Sequence, residues 1–130
     1  PIFDTFLDAG IPIFGMLDTP WPHNSHGGID TPTCLADGGS ATDCATRRVS
    51  ALLDVDPARA VAATRPLFHP LDVSDGVCQR PGSVPDPLCP AIIGNIIVYK
   101  DWHHLSATYV RSLTDEVERQ MGLALDWAGR

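Results

Sequence analysis

Basic residues are scarce in this chain: nine Lys and Arg stand against 16 Asp and Glu, a net charge of −7 over 130 residues. A field of that sign repels phosphate backbones and anionic headgroups, so no nucleic-acid partner is expected. Long apolar runs are missing as well. None approaches the roughly 20 residues that span a bilayer, so membrane attachment would have to come from sequence outside these residues. No initiator Met, signal peptide or basic leader precedes Pro1-Ile2-Phe3-Asp4-Thr5-Phe6-Leu7, which already lies inside an amphipathic pattern, and the chain is expected to be a piece of a longer protein. Neither an internal repeat nor a low-complexity tract is found.

What is present is an ordinary globular balance, 44% hydrophobic and 19% charged, enough for one domain with a core. Twelve Pro and 11 Gly predict long irregular connections. Four cysteines, Cys34, Cys44, Cys78 and Cys89, bracket two loops of about ten residues rich in Gly, Pro, Asp and Ser. Of three connectivities, Cys34 with Cys44 and Cys78 with Cys89 closes the most local loops, and points to an oxidising, extracytoplasmic compartment. Zinc fits this spacing poorly, because its cysteine ligands are usually two to four residues apart.

Residues 2–9 predict a helix with Ile2, Phe3, Phe6 and Leu7 on one face and Gly10 as its stop. The apolar run 11–17 predicts a strand buried on both faces, broken by Asp18-Thr19-Pro20. Helix then buried strand is α/β grammar. Residues 21–44 carry no sustained period and predict a long loop. Helices are expected over 45–53 and 57–63, the second capped by Asp56-Pro57, with Val49, Leu52, Leu53, Val61 and Ala62 toward the core. Pro70 makes 67–73 an edge strand. Residues 92–95 predict a turn and 96–100 a strand; Ser106 caps a helix with Tyr109, Val110, Leu113 and Val117 on one face. A restart at Thr114-Asp115-Glu116 carries helix to about Leu125.

The strongest chemical signal is Asp101-Trp102-His103-His104. An imidazole that takes a proton from a nucleophile needs a carboxylate to fix its tautomer, and Asp101 with His104 supplies both from one turn. The same spacing also serves a helix-leading Asp beside an exposed His; the β-like run before it favours the catalytic reading, since open α/β sheets place sites at strand carboxyl ends. His103 is read as a packing imidazole, because adjacent residues at an element boundary usually point apart. His23 and His26, with His103 and His104, offer zinc or nickel ligands, but no helix fixes the first two on one face, so no metal is expected. Asp18, Trp21 and Trp102 are candidate substrate-loop residues, and Trp21, Tyr99 and Trp102 offer faces on which a sugar ring stacks. Ser25, Ser40, Ser50, Ser74, Ser83, Ser106 and Ser112 all lack the Gly-rich elbow that exposes a nucleophile.

At these residues the chain resembles the SGNH (GDSL-type) hydrolase superfamily, most closely the carboxyl-terminal half of the SGNH domain fused behind acyltransferase-3 membrane domains in bacterial envelope O-acyltransferases. The resemblance rests on the strand before Asp18-Thr19-Pro20, the Cys34 and Cys44 loop, Leu71-Asp72-Val73 leading to Cys78, Cys89-Pro90, and Val98-Tyr99-Lys100-Asp101-Trp102-His103-His104-Leu105-Ser106. It implies an α/β fold, part of a three-layer α/β/α (flavodoxin-like) domain with a parallel sheet and disulfide-closed loops. Residues 1–130 would be the carboxyl-terminal part of one extracytoplasmic domain, with Asp101 and His104 as the Asp and His of a triad. The family's Gly-Asp-Ser block and its Gly and Asn oxyanion blocks have no counterpart here, so the nucleophile-bearing half would lie upstream and the isolated chain would be inert. The parent is then expected to be a serine-dependent acyltransferase or esterase, needing no cofactor. Its partners would be the upstream half, the acyltransferase-3 membrane domain that tethers it, and a cell-envelope glycan or glycolipid acceptor. A non-catalytic extracytoplasmic binding module and a free-standing esterase of the superfamily are the alternatives.

Overall fold

The computed structural model describes residues 2–24 and 27–126 and shows a mixed α/β chain with a small parallel sheet and two disulfides. Helix α1 (Ile2–Asp8) ends as its sequence predicts: Gly10 takes φ +76°, its N–H donates to Leu7 O at 3.0 Å, and Ile11 N–H donates to Phe6 O at 2.9 Å. That is a Schellman stop, at a backbone conformation a side chain would strain. The chain then enters β1 (Ile13–Met16), which pairs in parallel with β5 (Phe68–Leu71), Ile13 opposite Phe68 and Met16 opposite Leu71. Gly15 is required here, because a Cβ would lie 2.4 Å from the Phe68 ring.

Strand β1 is shorter and less covered than the sequence predicts. Met16 and Ile11 are each 50% exposed, and of the apolar face of α1 only Leu7 is buried while Ile2, Phe3 and Phe6 remain in solvent. Strand β5 is an edge, as Pro70 requires, with β1 on one side. Its end is held by Gln120, which accepts from Asp72 N–H at 2.9 Å and donates to Asp72 O at 2.6 Å.

Between these strands, residues 21–44 are not one loop. They contain a two-residue ladder, β2 (His23–Asn24) with β3 (Gly27–Gly28), and a helix, α2 (Thr31–Ala36). Asp30 caps α2 by accepting from Thr33 N–H at 3.1 Å, and Pro32 sits in its first turn. Residues 45–53 also divide: β4 (Thr46–Arg47) pairs with β6 (Leu88–Cys89), and α3 is one turn, Arg48–Ala51. Ala51 is its buried residue; Val49 and Leu53, expected in the core, are 66% and 58% exposed because the turn is too short to roll both onto it. Helix α4 (Pro57–Ala62) forms as predicted, capped by Asp56 accepting from Ala58 N–H at 2.8 Å, although Val61 and Ala62 are only half-buried.

The core surrounds the second disulfide. Helix α5 (Ser74–Val77), which the sequence reading missed, delivers Val77 and Cys78 to Val73, Cys89, Val98, Tyr99, Tyr109 and Leu113. Residues 96–100 do not form the expected strand. Ile96–Ile97 (β8) pairs back on Ile92–Ile93 (β7) around Gly94 and Asn95 at φ 55° and 64°, the two-residue type I′ hairpin signature, and beyond it Tyr99 makes only an isolated bridge. Helix α6 (Ala107–Ser112) is capped by Ser106, which accepts from Tyr109 N–H at 3.2 Å, and α7 (Thr114–Ala124) follows. Tyr109 and Leu113 face the core, but Val110 is 50% exposed. Both predicted disulfides are present, Cys34 with Cys44 and Cys78 with Cys89. They fit an oxidising extracytoplasmic environment. Among the described residues no helix is long and apolar enough to cross a membrane.

Candidate functional site

Asp101 and His104 sit in a tight loop rather than at the end of a parallel strand. Tyr99 faces Leu105 in an antiparallel bridge and Lys100 N–H donates to His104 O at 3.0 Å, so residues 100–104 form the tip of a reversal. Within it Asp101 Oδ1 accepts from the N–H groups of His103 at 3.1 Å and His104 at 2.8 Å. This side-chain-to-backbone turn is a standard use of Asp, and it holds the carboxylate independently of the imidazole. His104 Nδ1 then lies 2.9 Å from Asp101 Oδ2 and 3.1 Å from Oδ1. A neutral imidazole donating from Nδ1 to a carboxylate carries its free lone pair on Nε2, the tautomer a general base needs.

The His104 backbone N–H, above all, holds the Asp101 carboxyl well below the usual carboxylate range; burial opposes this, and the His103 N–H and the His104 ring reinforce it. A carboxyl depressed in the folded state stabilises the fold above its ordinary pKa near about 4, and that contribution goes only as pH falls through the lower folded value. The turn is therefore expected to persist at pH about 4 and open in stronger acid. Amide shifts of His103 and His104 followed by NMR against pH check this; a transition at the ordinary carboxylate value would contradict it.

His103 packs as the sequence reading has it, but it does not point away from the site of its neighbour. Its ring is half-buried between Trp102, with centroids 4.1 Å apart, and Trp21, at 5.0 Å. It also faces the same carboxylate as His104, with Nδ1 3.7 Å from Asp101 Oδ1. The reversal at Asp101 turns both rings toward its carboxylate, where a helix or strand would have separated them.

The substrate-loop candidates meet in one place. A cleft of about 980 Å³ is lined by Asp18, Trp21, Arg47, Ser50 and Leu53 with Trp102 from the Asp101 loop. Buried Pro20 and Pro22 flank Trp21, whose backbone N–H donates to Ala51 O at 2.7 Å, while Thr46 Oγ1 donates to Pro22 O at 3.2 Å. Asp18 is tied through its N–H to Asp56 Oδ2 at 2.9 Å. The edge contact of Trp21 with Trp102, at 6.4 Å, joins the cleft wall to the Asp–His turn. Tyr99, the third aromatic considered for sugar stacking, is 1% exposed and belongs to the core.

Several serines commit their hydroxyls locally. Ser106 Oγ donates to Ile97 O at 2.6 Å, Ser83 to Arg80 O at 2.6 Å, Ser112 to Tyr109 O at 2.7 Å and Ser40 to Asp43 at 2.6 Å. Ser74 is buried. Ser25 and His26 lie outside the described residues. No protein-family model, curated protein or solved structure matches the chain.

Proposed function

We propose that this chain is the carboxyl-terminal part of a serine-dependent O-acyltransferase or esterase domain of the SGNH type, supplying its Asp and His. The observation that carries the reading is the Asp101 carboxylate, locked by two backbone N–H groups and set 2.9 Å from His104 Nδ1. His104, oriented by Asp101, would take the proton of an upstream Ser as its oxygen attacks the acyl carbonyl, then give it to the donor's leaving group as that bond breaks. The acyl-enzyme would pass its acyl group to a sugar hydroxyl or to water, with His104 taking the attacking hydroxyl's proton and returning it to the released Ser oxygen. The cleft beside Trp21 and Trp102 suits a polar acceptor that presents an apolar ring face.

The three-layer α/β/α domain belongs to the same proposal. Parallel strands are usually covered on both faces, yet Ile11, Met16, Phe3 and Phe6 stand exposed around β1, which favours further strands and helices supplied by an upstream half. The acyl donor would be an acyltransferase-3 membrane domain of the parent, the acceptor a cell-envelope glycan or glycolipid, and the location the outer side of the cytoplasmic membrane. No metal or dissociable cofactor enters this chemistry. On this reading the nucleophile and the oxyanion donors come from the upstream half, and the isolated chain is expected to be inert on esters.

The test is to extend the chain upstream to the next soluble boundary and treat it with a fluorophosphonate serine probe, beside His104→Ala. Labelling lost in the variant is the expected result. A folded, extended protein that does not label would instead support a binding module built on the Trp21 and Trp102 cleft. Ester hydrolysis by the present chain, abolished by His104→Ala, would overturn the placement of the nucleophile upstream.

A further inference from the structure

A second chemistry is available to the Asp101 turn, independent of any acyl transfer. The Nδ1 atom of His103 is buried and has no hydrogen-bond partner. Its nearest carboxylate oxygen, Asp101 Oδ1, is 3.7 Å away, too far to accept a hydrogen bond. A ring nitrogen buried in that state is costly unless something satisfies it. Around the same point, one donor atom each from Asp101, His103 and His104 fall within 4.8 Å of one another.

The His103 spacing suits a ligand better than a hydrogen-bond partner. Donors held about 2.0–2.2 Å from a tetrahedral ion are about 3.3–3.6 Å apart; His103 Nδ1 is 3.7 Å from Asp101 Oδ1 and His104 Nδ1 is 2.9 Å from Oδ2, so small shifts of the carboxylate and rings reach that span. We propose that Asp101, His103 and His104 form a three-donor site for a divalent transition metal, two imidazole Nδ1 atoms and a carboxylate oxygen, with Zn²⁺ the ion this donor set fits. Borderline nitrogen donors favour zinc and its neighbours over Ca²⁺ or Mg²⁺, which take oxygen shells. Three protein ligands leave a fourth position for water or an external ligand.

The supporting shell is already built. Backbone N–H groups of His103 and His104 hold Asp101 Oδ1, leaving Oδ2 against His104 Nδ1, and Trp21 and Trp102 clasp the His103 ring. Hydrogen-bonded ligating carboxylates and packed imidazoles are what orient a metal's ligands. Binding would draw His104 Nδ1 from its bond with Asp101 onto the ion, releasing the Nδ1 proton to solvent. The ion and the Asp–His pair are thus alternative uses of the same atoms.

Titration of the purified chain with Co²⁺, at pH about 8 where imidazoles are neutral, tests this. One equivalent of Co²⁺ is expected to develop the visible absorption of a four-coordinate nitrogen and oxygen site, and Zn²⁺ to bleach it stoichiometrically. His103→Phe, which keeps an aromatic ring between the two Trp, and Asp101→Asn should each weaken binding by on the order of tenfold or more. His69→Ala, in β5, should leave it unchanged. Absence of the absorption, or equal affinity in His103→Phe, overturns the site. If either variant loses its fold, the wild-type chain decides: on adding Zn²⁺ the Nδ1 ¹⁵N resonances of His103 and His104 move together, and zinc that binds without moving them refutes the proposal.

Discussion

Replacing Cys78 and Cys89 together by Ala is expected to lower the stability of this chain by about 3–4 kcal/mol, and by Ser to lower it further. The disulfide closes a loop with a sequence separation of 11, for which restriction of the unfolded chain contributes about 3 kcal/mol. Unlike a surface staple, this one is inside the core: Cys78 and Cys89 are 4% and 1% exposed and pack with Val77, Val98 and Tyr99. Ala therefore removes packed sulfur as well as the cross-link, and Ser adds two buried hydroxyls, each costing about 1–3 kcal/mol if unpaired. The Cys34–Cys44 bond shields one sulfur-bearing residue completely, Cys44, but leaves Cys34 half-buried in a loop apart from that core, so its Ala pair should cost about 2–3 kcal/mol. Against the 5–15 kcal/mol typical of whole domains, the first loss moves the melting temperature by about 10–15 °C, which calorimetry resolves. Equal losses from the two bridges would show that Cys78 and Cys89 act through chain entropy alone.

The features that could be read from sequence were those whose physical cause is local. Gly10 stops α1, Asp56 caps α4, Ser106 caps α6, and each cysteine pair closes its own loop, because a cap or a short loop is decided by neighbours in the chain. The Asp101 and His104 contact belongs with them, being made within one turn. Helix α2 was missed although its signal was present: Asp30 and Pro32 mark a start, but six residues are too few to show a helical period. The 96–100 run misled because apolar strand character does not name a partner. Gly94-Asn95, a strong I′ turn pair, folds β8 back on β7 and leaves Val98 and Tyr99 for the core. Val49 and Leu53 misled for a related reason: apolar residues at helical spacing say nothing of which face meets the core when the helix is one turn long. Least legible was the meeting of Trp21 with His103 and Trp102, a contact between distant segments that no periodicity encodes.

Asp101→Asn in the complete parent protein is expected to reduce acyl turnover by about 10⁴-fold while leaving the fold in place, if the acyl-enzyme reading holds. The substitution retains one side-chain oxygen, which still accepts from the His103 and His104 N–H groups and keeps the reversal closed. The other oxygen, now 2.9 Å from His104 Nδ1, becomes an NH₂ group that donates. Two donors cannot share that hydrogen bond, and Oδ1, 3.1 Å from Nδ1, already accepts two backbone N–H groups, so His104 is expected to turn its Nδ1 lone pair to the amide and carry its proton on Nε2. The nitrogen meant to take the proton of the nucleophile is then already occupied, and the imidazolium loses its counter-charge. Asp101→Ala would be a poorer probe, because it removes the turn together with the charge. Single-turnover acyl transfer, with circular dichroism to verify the fold, measures the effect; a loss below about tenfold in a folded variant would take Asp101 out of the chemistry and leave its carboxylate a structural turn or, with His103, a metal ligand.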